Sequence, residues 1–329
     1  MSTLAATHPT LLDLANMLDP GGNVADIAEL LTQQNDILKD AAVQEGNLTT
    51  GNKTSIRIAK GSASWKKLYG YIAPDKSGYA TVVDSCGMLR RYNEVDVDLA
   101  KLSGNVPKFL VSEAYGAIES MNDEMASSLF YANEATEPEA FTGLAPRYNS
   151  QSAENARNIL TSAATPDSTD NTSIWLINWG PNVFLTYPKG SKAGLSQQDF
   201  GETTATDSNG ALLQVYRSLF SWDVGLVVKD WRHIVRINFD LEDVIASGAT
   251  GPVLYNLMAQ AVRRIPNMSM GRPAFYMNSD ALDMYDLQAM NKSTLAFKQI
   301  LDAQGQVVDT FRGIPVRRCD AILSTEAGI

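Results

Sequence analysis

The sequence predicts an α+β fold, and three observations carry that prediction. Ala114, Ile118, Met121, Met125 and Leu129 recur at helical spacing and form one apolar stripe. SIWLINW (residues 173–179) is an apolar run of strand length, and farther on Val235, Ile237 and Phe239 alternate with Arg236, Asn238 and Asp240. From Asp243 onward, helix and strand patterns follow one another within a single stretch of chain.

The chain has 329 residues, of which 44% are hydrophobic, 19% charged and 8% aromatic, the composition of a globular protein with room for a large core. No apolar run approaches the roughly 20 residues that cross a bilayer. The first Lys or Arg is Lys39, and Asp13 and Asp19 precede it, so the start lacks the charged beginning of a secretory signal and folding in a cytoplasm is expected. The formal charge of −10 argues against a surface that binds nucleic acid generally. Two cysteines (Cys86, Cys319) and two histidines (His8, His233) lie far apart without zinc-ligand spacing, so neither a metal, a cofactor nor a disulfide is expected.

In chain order, Val24, Ile27, Ala28, Leu31, Leu38 and Ala42 predict a leading helix. EGNLTTGNKTS (residues 45–55) then nearly matches the phosphate-binding pattern G-x-x-x-x-G-K-[ST]. Asn52, however, separates Gly51 from the Lys53-Thr54 pair, and the stretch leads from a helix into a strand, the reverse of the order that pattern requires. Ile56 and Ile58 alternate with Arg57 in an extended limb. After Trp65, Tyr69 and Tyr71, a turn signal at residues 74–78 returns the chain through Tyr79, Thr81, Val82 and Val83. The first limb, residues 51–67, carries Lys53, Arg57, Lys60, Lys66 and Lys67 and no acidic residue. Such a two-stranded arm has no core and needs a surface to lie on.

The helix marked by the apolar stripe is expected over residues 111–133. Between residues 111 and 140 lie seven carboxylates, among them Glu113, Glu119, Asp123 and Glu124, and no Lys or Arg. A solvated acidic face is one reading; the other sets the basic arm of one copy across the acidic helix of another. Residues 188–210, rich in Gly, Ser, Thr and Asp, are expected to form an exposed loop, with a turn at KGSKAG. A helix over 253–265, a strand at AFYMN, a helix start at Asn278-Ser279-Asp280, a turn at Gly313 and a strand from Ile314 with Pro315 near its start complete the pattern. Catalytic chemistry finds little support. There is no G-x-S-x-G, His233 lies in the strand-like WRHIVRI, and Asp96 and Asp98 stand where carboxylates commonly cap a helix.

The order of these parts resembles the major capsid proteins of tailed, short-tailed bacteriophages with the Hong Kong 97-type fold. The stretches that carry the resemblance are VVDSCGMLRRYNEVDVDLAKL, SMNDEMASSLFYANEATEPEAFTGLAPRYNS, SIWLINWGPNVFLTYPKGSKAGL, WDVGLVVKDWRHIVRI, FYMNSDAL and FRGIPVRRCDAIL, spanning roughly residues 19–323. The resemblance implies an N-terminal arm and helix (1–46), an extended loop (47–95), a spine helix opening a peripheral domain (96–145), β-rich peripheral and axial segments (146–242) and an axial domain (243–329). FYMNSDAL and FRGIPV follow WLINWG and DWRHIVRI here, the permuted order. In that fold the extended loop crosses a neighbour, which assigns Lys53, Arg57, Lys60, Trp65, Lys66, Lys67 and Tyr69 on the arm, and Glu113, Glu119, Asp123 and Glu124 on the spine helix, to an interface between subunits. It further implies pentamers and hexamers of an icosahedral head assembled in the host cytoplasm. The implied partners are a separate scaffolding protein, a portal protein, a possible decoration protein and packaged double-stranded DNA held without sequence-specific binding, and no membrane; the lysine, asparagine and carboxylate that cross-link some relatives find no match here, so no covalent cross-link is expected. The alternatives are an encapsulin-like compartment shell and an acidic hydrolase working through Asp96 and Asp98.

Overall fold

The computed structural model describes residues 33–162, 170–206, 210, 212–241, 244, 254–291, 300–301 and 307–329. The helix expected from Val24 lies mostly outside them. Within them it is only α1, Ile37–Asp40, because Ala41 has already turned to an extended ψ of 129°. The chain then enters β1, Val43–Glu45, which pairs in parallel with a strand formed far downstream. Sheet pairing overrides helical spacing here, and residues 45–55 join strand to strand rather than helix to strand.

β2, Gly51–Ala59, and β3, Gly78–Ser85, pair only with each other, as the arm pattern predicts. β4, Gly87–Asp96, leads into α2, Val97–Leu102, and α3, Val106–Tyr131. The long helix starts five residues earlier than its apolar stripe suggests. Asn105 accepts a hydrogen bond from the Lys108 amide at 3.2 Å, and Pro107 fits the first turn, where no amide partner is needed. After the short helix α4, Leu144–Arg147, come β5, Ile159–Thr161, β6, Asn171–Trp179, and β7, Val183–Tyr187.

The expected loop over 188–210 is largely a strand. β8, Ser196–Thr206, pairs antiparallel with the 17-residue β9, Leu212–Val228, from Ser196↔Ser221 to Thr206↔Leu212. Its polar composition, which reads as loop, belongs to a strand exposed along nearly its whole length, with Ala205 its one buried residue. Hydroxyl and amide side chains bond across it, Ser196 to Ser221 at 2.6 Å and Gln214 to Thr204 at 3.1 Å. The turn reading of KGSKAG holds, with Gly190 and Gly194 both at positive φ. The remaining elements are β10, Ile234–Asp240, α5, Leu254–Arg264, β11, Arg272–Met277, α6, Ser279–Asn291, and the short strands β12, Ile300–Leu301, β13, Val307–Val308, β14, Thr310–Phe311, and β15, Ile314–Arg318. Asn278 caps α6 by accepting the Ala281 amide at 2.9 Å, and Gly313 turns β14 into β15 at φ 83°.

Two sheets organise these elements. In the first, β9 pairs with β4, β7 and β8, and β1 joins through β7. The stripe of α3 covers it, Met121 and Ala117 packing with Phe220 and Trp222. The second has the order β14-β15-β11-β6-β10-β5 and is buried on both faces, with every residue of β6 and β10 inside. Ile174, Leu176 and Phe275 face α5 and α6, while Trp175, Ile177 and Tyr276 face the end of α3 at Met125, Leu129 and Phe130. This sheet takes strands from both sides of residue 242, so residues 243–329 do not make it by themselves.

A buried ion pair ties the segment after β15 into this core. Arg236 Nη2 meets Glu326 Oε2 at 2.8 Å, with both side chains about 5% exposed or less. Arg236 also donates to Ser173 Oγ at 2.9 Å and to the Tyr148 carbonyl at 2.8 Å. The hydroxyls of Ser173 and Tyr131 donate to the Glu326 carboxylate, and the Tyr131 oxygen accepts the Leu323 amide at 2.9 Å. The last turn of α3, the second sheet and segment 323–326 therefore share one polar network.

Candidate assembly site

The arm leaves the body at a joint that admits no side chain. A Cβ on Gly51 would stand 2.0 Å from the Asp84 carbonyl oxygen, and one on Gly225 would stand 2.4 Å from that of Ser85. Asn47 brackets Lys53, accepting its amide and donating to its carbonyl, both at 2.7 Å. Asp84 is buried and holds Arg147 at 2.8 Å, and Arg147 also donates to the carbonyls of Thr142 and Leu226. The foot of the arm is therefore fixed to both the α3 side and the β9 side of the body. Asp84 and Arg147 went unnoticed in the sequence, where 63 positions separate them.

Beyond the joint the arm is exposed on both faces. Lys53, Arg57, Lys60, Lys66 and Lys67 all face solvent, and Trp65 and Tyr69 are as exposed as in an extended peptide. Two contacts organise the hairpin. Arg57 lies over the Tyr79 ring, 5.4 Å from its centroid, and donates to its hydroxyl at 3.1 Å. Near the tip, Asp75 accepts the Ser62 amide at 2.7 Å, the Ser62 hydroxyl at 2.9 Å and the Lys76 amide at 2.8 Å. The bond from the Ser62 amide, with the other two, holds the Asp75 carboxyl below its ordinary range. The tip is thus closed without any help from the body.

The four predicted helix carboxylates do not form one face. Glu113 and Glu124 lie about three turns apart on one side of α3, and Glu119 and Asp123, one turn apart, lie on another. Asp123 accepts from Asn35 Nδ2 at 3.2 Å, so this second side meets the protein's own segment 33–36. Burial, followed by the charge of Glu119, raises the Asp123 carboxyl above its ordinary value.

The catalytic alternatives dissolve in this geometry. Asp96 accepts the amides of Asp98 at 2.8 Å and Leu99 at 3.1 Å and so caps α2, while Asp98 sits inside that helix, not beside it on a strand. His233 lies in a 3-10 turn rather than in β10. It is held by Asn178 at 3.3 Å and Asn182 at 3.0 Å, and burial lowers its pKa. Among the described residues, no group of three or more His, Cys, Asp or Glu could hold a metal. No described helix is long and apolar enough to cross a membrane. Burial pushes the Cys86 thiol up to about 11, helped by the charges of Asp223 and Asp84, and the Cys319 thiol up to about 12. Iodoacetamide at pH 7.5 is therefore expected to label the native protein on the order of 100-fold more slowly than a free thiol, since thiolate is the reactive form. Rapid labelling of either cysteine, read by mass spectrometry, would contradict this burial.

A body of two sheets that carries a long, exposed arm with no core of its own has the form of a structural subunit that packs against a neighbour. The chain belongs to the family of the major capsid protein GP7, whose model matches residues 19–329. A chain of the bacteriophage epsilon15 structure is 34% identical and superposes with a TM-score of 0.80, covering 100% of this chain and 99% of that one. More distant are the capsid of a native GTA particle (10% identity, TM-score 0.47, 68% and 96% covered) and the holo-SrpI encapsulin of Synechococcus elongatus (11%, 0.40, 65% and 91%). No curated protein matches. The Hong Kong 97-type fold, a structural rather than enzymatic role, self-association and a place in the virion capsid follow from the family and the epsilon15 likeness.

Proposed function

We propose that copies of this chain form the pentamers and hexamers of an icosahedral phage head around double-stranded DNA, each laying its arm across the α3 side of a neighbour. The observation that carries this reading is the arm itself. Residues 53–83 enter no apolar core of the subunit, yet they expose Ile58, Trp65, Leu68, Tyr69 and Tyr71. The arm's Lys and Arg and the carboxylates Glu113 and Glu124 complement one another, which favours one partner and one register. The sheet of β4, β8 and β9 with α3 serves as the peripheral part and the six-stranded sheet with α5 and α6 as the axial part. A net charge of −10 suits a lining that releases DNA. A separate scaffolding protein, a portal, a possible decoration protein and assembly in the host cytoplasm complete the reading.

Electron microscopy of the protein co-expressed with its neighbouring genes is expected to show icosahedral shells. Raised salt is expected to slow their formation, because exposed charges are screened beyond about 8 to 10 Å. Small discrete particles under every condition would overturn the reading.

A further inference from the structure

A cavity of about 440 Å³ opens between the start of β4, the second half of α3 and segment 136–141. Its apolar lining is the buried Met125 and Phe141 with the exposed Met88 beside them, and its edge carries the exposed Glu124, Glu137 and Glu139. No Lys or Arg lines it, and among the described residues none of the three carboxylates is ion-paired. No histidine or cysteine lines it. It has the character of a socket for a side chain or chain segment that is apolar at its end and cationic beside it.

The arm tip is such a segment. Trp65, Lys66 and Lys67 are consecutive and exposed, an indole followed by two ammonium groups. We propose that this groove receives the arm tip of a second copy, with Trp65 against the exposed Met88 and the apolar lining of Met125 and Phe141, and Lys66 and Lys67 on Glu137 and Glu139. Thioether sulfur against an aromatic ring is a favourable contact, and the ammonium groups would neutralise a rim that is otherwise only acidic. The donor must be another molecule. Gly87 lines the groove and stands two residues past the end of β3, so the groove lies at the foot of its own arm. The paired strands hold the tip away from that foot by about 30 Å, the length of nine extended residues. Socket and plug are thus at opposite ends of one hairpin, a head-to-tail arrangement in which each copy gives one contact and receives one. This assignment rests on the reading that arms cross between copies and adds where they land.

Charge exchange tests it in the full-length protein. K66E/K67E and E137K/E139K alter only exposed positions, and circular dichroism checks that each variant folds. Each is expected to lose shell formation alone, and the four changes together are expected to restore it. A benzophenone amino acid at position 65 is expected to cross-link, in assembled shells, to the peptides holding Met88 or Met125. If K66E/K67E blocks assembly while E137K/E139K assembles normally, or if the cross-links map elsewhere on a neighbour, the groove assignment fails and the intersubunit arm survives. If both charge variants assemble as the parent does and the cross-link stays within one subunit, both readings fail.

Discussion

A chain in which residues 54–82 are replaced by Asn-Gly is expected to fold as the parent does and to form no closed shells. Lys53 and Val83 face each other in register, so a two-residue turn can join them without disturbing the joint at Gly51, Asn52 and Asp84. The deleted residues contribute to no buried cluster. The melting temperature is therefore expected to stay within about 2 °C of the parent, as for surface changes worth up to about 0.5 kcal/mol. What disappears is the apolar and cationic surface that nothing in the subunit covers. Sedimentation velocity and electron microscopy read the assembly state, and calorimetry reads the fold. Closed shells from the shortened chain would show that the copies are held together elsewhere on the body.

Glu326→Ala is expected to produce the largest loss of subunit stability. It leaves the Arg236 guanidinium buried without its counter-charge, a change that costs about 3–5 kcal/mol in comparable sites. At roughly 1.5 °C per kcal/mol for a chain this long, the unfolding midpoint should fall by about 4–7 °C. It also takes an acceptor from the hydroxyls of Tyr131 and Ser173. Pairing R236M with E326L should cost less than E326A alone, because no uncompensated charge then remains. A midpoint for E326A within about 2 °C of the parent would mean that water reaches Arg236 and the network is not sealed.

How much of this was legible in the sequence depended on whether the signal was local. The arm could be read because its alternation, its turn residues and its one-sided charge all lie within 35 residues. The stripe of α3 could be read because Met121 and Met125 pack inward at helical spacing. β8 was hidden, since a strand exposed on both faces has no apolar alternation and its Thr, Gln and Gly residues look like a loop. β1 was hidden because only its parallel pairing with β7, across 142 positions from Val43 to Leu185, holds it extended. The charge count over residues 111–140 included the carboxylates around the groove, but not which of them share a face. Asp123 turned out to address Asn35. Residue counting cannot make that distinction, because side-chain direction along a helix and the path of a distant segment decide it.

The order of synthesis gives the buried ion pair a consequence in time. Glu326 comes 90 positions after Arg236, and 155 after the Asn171 it bridges. At about 5–20 residues per second, a ribosome needs on the order of 5–20 s to travel from the guanidinium to its partner. Within that interval β11 is finished well before its partner β15, and until the interval ends the central strands carry an unanswered charge. The arm and the groove, all within residues 51–141, have already been made. Nascent chains on one message thus display the proposed coupling parts before the body behind them can close, so the tempo of translation bears on which chains are whole when they first meet.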